Sequence, residues 1–180
     1  PMPFDPMYEP FWSVLEELDM PLVAHGGSGL PNVTVPGAAP INPRLLTTLI
    51  AQEFKFWTPR PLWMMIFGGV FERHPKLRLV FTDTACDWVP STLASMDTSW
   101  QKAYDNNGEL LEFCPRRPSE YWQEHCFLGN SLISRDEVAH REEMGGIDKM
   151  MFGVDFPHIE TSWPHSLNTI RAVLTGNDLT

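Results

Sequence analysis

Polar side chains follow four short apolar segments of this sequence, where they could bind a metal ion or move a proton. His25 follows PLVA, Asp83 follows LVFT and Asp155 follows FGV, while Asn130 follows CFLG. Imidazole and carboxylate groups are ligands that suit Zn²⁺, Mn²⁺ or Fe²⁺. Such an ion lowers the pKa of a bound water towards neutrality and makes hydroxide available as a nucleophile. The residue types therefore predict a metal-dependent site, provided that the chain brings the four segments together.

The segments between these sites have the apolar spacing of helices. Helices are predicted over 8–19, 89–104, 134–144 and 163–176, with helical material over roughly 44–56 and 61–73. The helix over 134–144 begins with Ser134 and Glu137, which form an S-x-x-E capping box. Three helices have an apolar face that we expect to turn inward: Phe11, Val14, Leu15 and Leu18 in the first; Val89, Leu93, Met96, Trp100 and Ala103 in the second; Leu167, Ile170 and Leu174 in the last.

Helices and strands alternate along the whole chain. The predicted strands lie within 21–27, 77–83, 126–133 and 149–156, and they are too apolar to face water on either side. This order indicates a parallel sheet covered by helices, either an open doubly wound sheet or part of a (β/α)8 barrel. The GGSG after the first strand is not a GxGxxG nucleotide-binding motif. In a barrel, catalytic groups lie at the carboxyl ends of the strands, which is where the four polar residues fall.

Composition excludes several classes of partner. The 180 residues include 13 Lys+Arg against 23 Asp+Glu, a formal charge of −10, and 43% are hydrophobic. This charge argues against binding to nucleic acid or to anionic lipid. No segment has the length and apolar character of a membrane span, and no secretory segment opens the chain. Three cysteines without CxxC spacing predict reduced thiols and a cytoplasmic location.

Four stretches resemble the later half of the amidohydrolase-related proteins, a branch of the amidohydrolase superfamily. In chain order they are LDMPLVAHGG, GGVFERHPKLRLVFTDTACDWVPSTLASMD, RRPSEYWQEHCFLGNSLISRDE and MMFGVDFPHIETSWPHS. The branch contains metal-dependent hydrolases and non-oxidative decarboxylases built on (β/α)8 barrels. The resemblance implies that these strands are the fifth to eighth of such a barrel. It also implies that His25 is a metal ligand and that Asp155 binds metal or handles protons.

The sequence departs from the family pattern in two places. Decarboxylases of this branch typically carry a catalytic His at the end of strand six, where this chain has Asp83. The HxH or ExH pair of the first strand has no counterpart among these residues. A half-barrel would also leave two apolar outer strands with unpaired backbone groups. We therefore expect 1–180 to be one partial domain, the C-terminal half of a barrel that needs its N-terminal half.

Four further assignments complete the predicted site. Asp83 either takes part in the chemistry or orients His25 or a water. His158 could hold a substrate carboxylate or simply be solvated, and Asn130 could donate a hydrogen bond to substrate or serve a backbone turn. Trp88 forms either the wall of the substrate pocket or part of the core. The expected metal is Zn²⁺, with Mn²⁺ or Fe²⁺ as alternatives.

The leading functional hypothesis is a metal-dependent hydrolase. Metal-activated water would attack the carbonyl of an amide, ester or lactone, and Asp155 would take the water's proton to the leaving group. One alternative is a non-oxidative carboxy-lyase that acts on an aromatic or unsaturated carboxylic acid. A second is an inactive truncated barrel or binding module. A small-molecule substrate and a homodimer are the expected partners.

Overall fold

Four parallel strands with helices between them form this α/β protein. The computed structural model describes residues 2–26, 56–106, 108–131, 133–158 and 161–179. The strands pair in chain order, from first to last. They are β1 (Leu22–His25), β2 (Leu79–Thr82), β3 (Cys126–Asn130) and β4 (Met150–Phe152). The predicted parallel sheet is therefore confirmed. The stretch 28–43, whose Pro, Gly and Asn content predicts a loop, and nearly all of the predicted helical material over 44–56 lie outside the described residues.

The predicted helices that fall within the described residues lie close to their expected places, but the helix Pro118–His125 occurs where no helix was predicted. The segment predicted as helical over 61–73 is interrupted at Gly68 and Gly69, and the capping box at Ser134 and Glu137 is present. Short 3-10 helices occur at Pro6–Tyr8, Glu109–Glu112, Arg141–Met144 and Ile147–Lys149. The α-helices are α1 (Glu9–Glu17), α2 (Arg60–Phe67), α3 (Val70–Arg73), α4 (Val89–Asn106), α5 (Pro118–His125), α6 (Arg135–Ala139) and α7 (Ser166–Thr175). In the described parts of the chain, no helix has both the length and the apolar character to cross a bilayer.

The hydrophobic core lies against the two central strands. Alternate residues of β2 and β3 are buried, as the two-residue period of a strand requires. Phe81 of β2 stacks on Trp122 of α5, and the edge of Trp88 faces both rings. The predicted inward face of α4 is largely confirmed: Val89, Leu93, Met96 and Trp100 are buried, and Ala103 is half-buried. The core thus fixes the central strands, whose carboxyl ends carry the candidate site.

The outer strands are less well covered. Within the described residues, β1 and β4 form the two edges of the sheet. Val23 of β1 and Met151 of β4 are exposed although both are apolar. An exposed apolar edge strand is a surface that natural proteins usually cover or pair. This arrangement agrees with the expectation of a partial barrel.

Two predicted helix faces are only partly covered, with Leu15 of α1 buried and Ile170 and Leu174 of α7 half-buried. In α1 the buried residues are Trp12 and Leu15, while Phe11, Val14 and Leu18 are exposed. In α7 Val173 is the buried residue and Leu167 is exposed. The apolar stripe of each helix is wider than the surface that it contacts among the described residues. Periodicity identifies the stripe, but it does not say which part of the stripe is covered.

Charged groups attach α1 to the segment that follows α3. His74 is buried, and its Nε2 lies 2.8 Å from Oε2 of Glu9, while its Nδ1 lies 3.1 Å from Oε2 of Glu16. Nη2 of Arg73 lies 2.8 Å from Oε1 of Glu9. The hydrogen bond from Arg73 lowers the pKa of the Glu9 carboxyl, with burial opposing and His74 adding to the effect. Ionised Glu9 therefore stabilises the folded chain.

Replacing the Glu9 carboxylate should make the Tm vary less with pH in the acid range. Because the pKa of Glu9 is lower in the folded than in the unfolded chain, its contribution is complete above its ordinary value of 4.5 and is lost as the pH falls through the folded value. We expect Glu9→Gln to lower the Tm at pH 7 and the difference from wild type to shrink towards pH 2. Thermal unfolding across this range measures the effect, with the exposed Glu17→Gln as control. A Tm difference that stays constant with pH would contradict the prediction.

Candidate active site

The carboxyl ends of the four strands meet at one edge of the sheet. The register pairs His25 with Thr82, Thr82 with Gly129 and Asn130 with Phe152. The backbone ladder continues beyond the strands, since the Asp83 N–H donates to the Gly129 carbonyl at 3.2 Å. In a parallel sheet this edge is where loops with catalytic groups converge. His25, Asp83 and Asn130 therefore share one edge, and Asp155 follows the end of β4 by three residues.

His25 and Asp83 face each other across the ends of β1 and β2. Nε2 of His25 lies 3.4 Å from Oδ2 of Asp83. Nδ1 of His25 lies 2.8 Å from the Gly26 carbonyl oxygen, which can only accept, so Nδ1 carries a proton. In the neutral imidazole, Nε2 is then an acceptor that faces a carboxylate acceptor. A proton or a metal ion between Nε2 of His25 and Oδ2 of Asp83 would accept electron density from both atoms. An imidazole nitrogen facing a carboxylate oxygen is therefore a pair of ligands that suits a divalent cation.

The backbone brings these two loops very close. A Cβ added to Gly26 would lie 2.2 Å from the Asp83 carbonyl oxygen, so any larger residue would push the ends of β1 and β2 apart. Asp83 and Asp155 also have positive φ, 53° and 55°. Aspartate tolerates this left-handed region better than most residues, and such conformations concentrate at functional sites. Both strand-end aspartates thus have a backbone that is uncommon for a side-chain-bearing residue.

Asp155 is paired with the histidine three residues further on. Oδ2 of Asp155 is buried and lies 2.9 Å from Nδ1 of His158. The Asp155 side chain is 19% exposed and that of His158 is 58% exposed. Thr161 donates a hydrogen bond to the Val154 carbonyl at 2.7 Å and so ties the following segment back to the strand end. A sheltered carboxyl with an exposed imidazole beside it can exchange protons with solvent.

The side chains of Asn130 and Trp88 are buried. Nδ2 of Asn130 donates to Oε1 of Glu137 at 3.1 Å, and Trp88 packs against the aromatic rings of the core. The packing of Trp88 agrees with the core alternative. Contact of either residue with substrate stays a prediction, as do the catalytic and metal-binding roles of the other site residues.

Glu137 belongs to this edge, although the sequence indicates only its capping role. Its carboxylate accepts a hydrogen bond from the Cys86 backbone N–H at 2.6 Å in addition to that from Asn130. Burial raises the pKa of the neighbouring Cys86 thiol to about 12, and the charge of Glu137 acts in the same direction. Cys86 is therefore a neutral thiol and not an activated nucleophile. The S-x-x-E motif was the only signal in the sequence for Glu137.

The described residues do not by themselves form a complete metal site. Among them, no group of three or more His, Cys, Asp and Glu side chains is arranged to hold an ion. His25 and Asp83 come together, while Asp155 pairs with His158 instead. A metal bound at this edge would need further donors from elsewhere.

Comparisons of this chain with family models and with curated proteins point to the same family. A family model described as "Amidohydrolase" matches residues 2–177. Curated proteins named gamma-resorcylate decarboxylase, from Rhizobium sp. (strain MTP-10005) and Rhodococcus jostii (strain RHA1), are 25% and 28% identical over 166 and 170 residues. Each match covers 87% of this chain and 46% of the relative, so the chain spans about half the length of these relatives.

Solved structures agree on the fold. An amidohydrolase from Mycobacterium avium subsp. paratuberculosis K-10 has a TM-score of 0.68 at 22% identity, over 97% of this chain and 42% of that one. A 5-carboxyvanillate decarboxylase from Novosphingobium aromaticivorans DSM 12444, complexed with manganese and 4-hydroxy-3-methoxy-5-nitrobenzoic acid, has a TM-score of 0.66 at 18% identity, over 99% and 50%. The four-stranded sheet is consistent with part of a (β/α)8 barrel, and which half it forms stays a prediction.

Proposed function

This chain belongs to the amidohydrolase family, and from that premise we propose that it forms part of a metal-dependent, non-oxidative carboxy-lyase acting on an aromatic carboxylic acid. The observation that carries the proposal is the likeness to gamma-resorcylate decarboxylases over most of the chain. The first expectation from the sequence was a hydrolase, and the relatives favour the carboxy-lyase alternative. Gamma-resorcylate, the acid named by these relatives, is the first substrate to test.

We propose a divalent metal held by His25 and Asp83 together with donors from outside the described residues. When bound, it would supply positive charge that orients the substrate and polarises its oxygens. The facing acceptors on His25 and Asp83 support this assignment. Because a decarboxylase of similar fold was solved with manganese, we propose Mn²⁺ before the Zn²⁺ that the sequence suggested.

Asp155 and His158 are proposed to supply the proton that decarboxylation requires. In this reaction the bond between the ring carbon and the carboxylate breaks, CO₂ leaves, and the ring carbon gains one proton. The protonated Asp155 carboxyl would give its proton to that carbon. His158, the more exposed of the pair, would then return a proton from solvent to Asp155.

A hydrolase remains the second candidate because of Asp83. The family decarboxylases typically have a histidine where this chain has Asp83, and here the carboxylate faces His25 at 3.4 Å. In a hydrolase, this carboxylate could orient or deprotonate a water near the metal. An assay that measures CO₂ release and ester or lactone hydrolysis in parallel separates the carboxy-lyase from the hydrolase.

The test uses the polypeptide as it is encoded, including whatever precedes residue 1, purified without metal and reconstituted with Mn²⁺ or Zn²⁺. We expect Mn²⁺-dependent release of CO₂ from gamma-resorcylate, measured by coupled CO₂ detection and by chromatography of the decarboxylated product. Aryl esters and lactones are assayed in parallel, and a sample with EDTA is the control. Ester or lactone hydrolysis without CO₂ release would overturn the carboxy-lyase proposal in favour of the hydrolase.

We also propose that β1 and β4 are completed by the first four strands of a barrel, and that the complete enzyme is a homodimer. The exposed apolar residues of the two edge strands support the first part. Light scattering measures the mass of the complete polypeptide and of residues 1–180 alone. A stable, monodisperse monomer formed by these 180 residues alone would argue against the need for a second half.

A further inference from the structure

The carboxylate of Glu137 connects three segments at the edge of the sheet that carries the candidate site. Oε1 accepts hydrogen bonds from the Cys86 backbone N–H at 2.6 Å and from Nδ2 of Asn130 at 3.1 Å. Oε2 accepts from the Ser134 backbone N–H and from its hydroxyl, both at 2.8 Å. These donors belong to the loop after β2, to the end of β3 and to the start of α6. One buried side chain therefore holds all three together.

This arrangement does more than cap a helix. A capping box needs only the contact between the glutamate side chain and the Ser134 backbone N–H, which Oε2 already makes. Oε1 is directed to two other segments. Burying a carboxylate is unfavourable unless its oxygens are hydrogen-bonded, and here four donors satisfy them. The buried charge is therefore explained by what it holds in place.

The segment that Glu137 holds contains Asp83. Cys86 lies three residues after Asp83 and is fixed through its N–H by Glu137. On the other side, the Asp83 N–H donates to Gly129, which precedes Asn130, another donor to Glu137. Asp83 has a positive φ of 53°, a conformation that the surrounding structure must maintain. The Cys86 end of the short segment 83–86 is thus bonded to the Glu137 carboxylate directly, and the Asp83 end is linked to it through the end of β3.

We propose that Glu137 is a positioning residue that holds segment 83–86 against the end of β3 and so keeps the Asp83 carboxylate facing His25. The effect on geometry is independent of the reaction, whereas the effect on turnover rests on the proposed function. Glu137 does not contact substrate in this proposal. It acts through Asp83.

The geometric effect is tested by NMR of the full chain, following the ring protons of His25 assigned by their loss in His25→Gln. Asp83→Asn should change these shifts because it removes the facing charge. Glu137→Gln should move them in the same direction as Asp83→Asn, because one carboxylate oxygen becomes an NH₂ group, which donates hydrogen bonds and cannot accept the two that this oxygen accepted. Asp136→Asn is the matched control: it is the same loss of charge on the neighbouring, exposed residue, and we expect wild-type shifts.

The kinetic effect is tested in the polypeptide used for the activity assay. Glu137→Gln should lower kcat by about 10–100-fold, the range typical of residues that orient a catalytic group. If Glu137 acts through Asp83, the double variant with Asp83→Asn should be no slower than Asp83→Asn alone. Independent contributions would multiply instead.

Several outcomes would overturn the proposal. Unchanged His25 shifts in Glu137→Gln, or in Asp83→Asn, would mean that the carboxylate is not held towards His25 in this way. Multiplicative losses of kcat would mean that Glu137 does not act through Asp83. If no variant and no wild-type sample has carboxy-lyase activity, the proposed function fails while the NMR result still decides the positioning role. Should Glu137→Gln not fold, Glu137→Asp, which is one methylene too short to bridge all three segments, is expected to shift His25 in the same direction.

Discussion

Asp155→Asn is expected to lower kcat for CO₂ release by about 10²–10⁴-fold, the contribution typical of a positioned general acid or base. The asparagine amide has the size of the carboxyl but cannot give a proton to the ring carbon. Folding should be little affected, because asparagine also tolerates the positive φ of 55° at this position. Steady-state kinetics at saturating metal measure kcat, and thermal unfolding confirms that the variant is folded.

Asp178→Asn provides a matched control for this substitution. Asp178 also has a positive φ, 56°, but it is exposed near the end of α7. We expect wild-type kcat from this variant. If Asp155→Asn keeps more than half of the wild-type kcat, Asp155 is not the proton donor and the proposed pathway through His158 is wrong.

Trp122→Ala is expected to reduce the free energy of unfolding by about 3–5 kcal/mol, the range for removing a large buried aromatic side chain. Trp122 is completely buried, stacks on Phe81 at 6.1 Å between ring centroids, and meets the edge of Trp88 at 6.0 Å. Its Nε1 donates to the Met144 carbonyl at 2.8 Å, and the alanine variant leaves that buried oxygen without this donor. A loss of this size is a large part of the stability of a small domain.

The same substitution at an exposed tryptophan is the control. Trp163 is 59% exposed and contacts Phe156 on the surface, so Trp163→Ala should change the unfolding free energy far less. Urea unfolding followed by circular dichroism measures both variants. Equal losses of unfolding free energy from the two substitutions would show that the buried packing of Trp122 does not stabilise the core as described.

The positions of the site residues were predictable from local patterns. Apolar runs that end at His25 and Asp83 give the ends of β1 and β2, and the run before Asp155 gives the end of β4 to within three residues. Helical spacing between the runs gives parallel pairing. Since strand ends of a parallel sheet share one edge, the shared location of the candidate residues follows directly. The inward face of α4 was also predictable, because its apolar stripe matches the surface that it covers.

The partners of these residues were not predictable in the same way. Nothing in the spacing of His25 and Asp83 says that their side chains meet, or that Asp155 contacts His158 instead. The buried faces of α1 and α7 were predicted only in part, because periodicity reports an apolar stripe and not its contacts. Glu137 looked like a cap alone, since its contacts with Cys86 and Asn130 join segments 51 and 7 residues apart.

The sequence by itself determined the alternation of strands and helices, the parallel α/β sheet and the edge at which polar residues collect, because these depend on local periodicity and on the geometry of parallel strands. The helix Pro118–His125 was missed. Only the tertiary structure decided which side chains face each other there. The close approach of Gly26 to the Asp83 carbonyl and the convergence of three segments on Glu137 depend on distances between residues remote in the chain. Such distances are set by packing of the whole core, which no local pattern encodes.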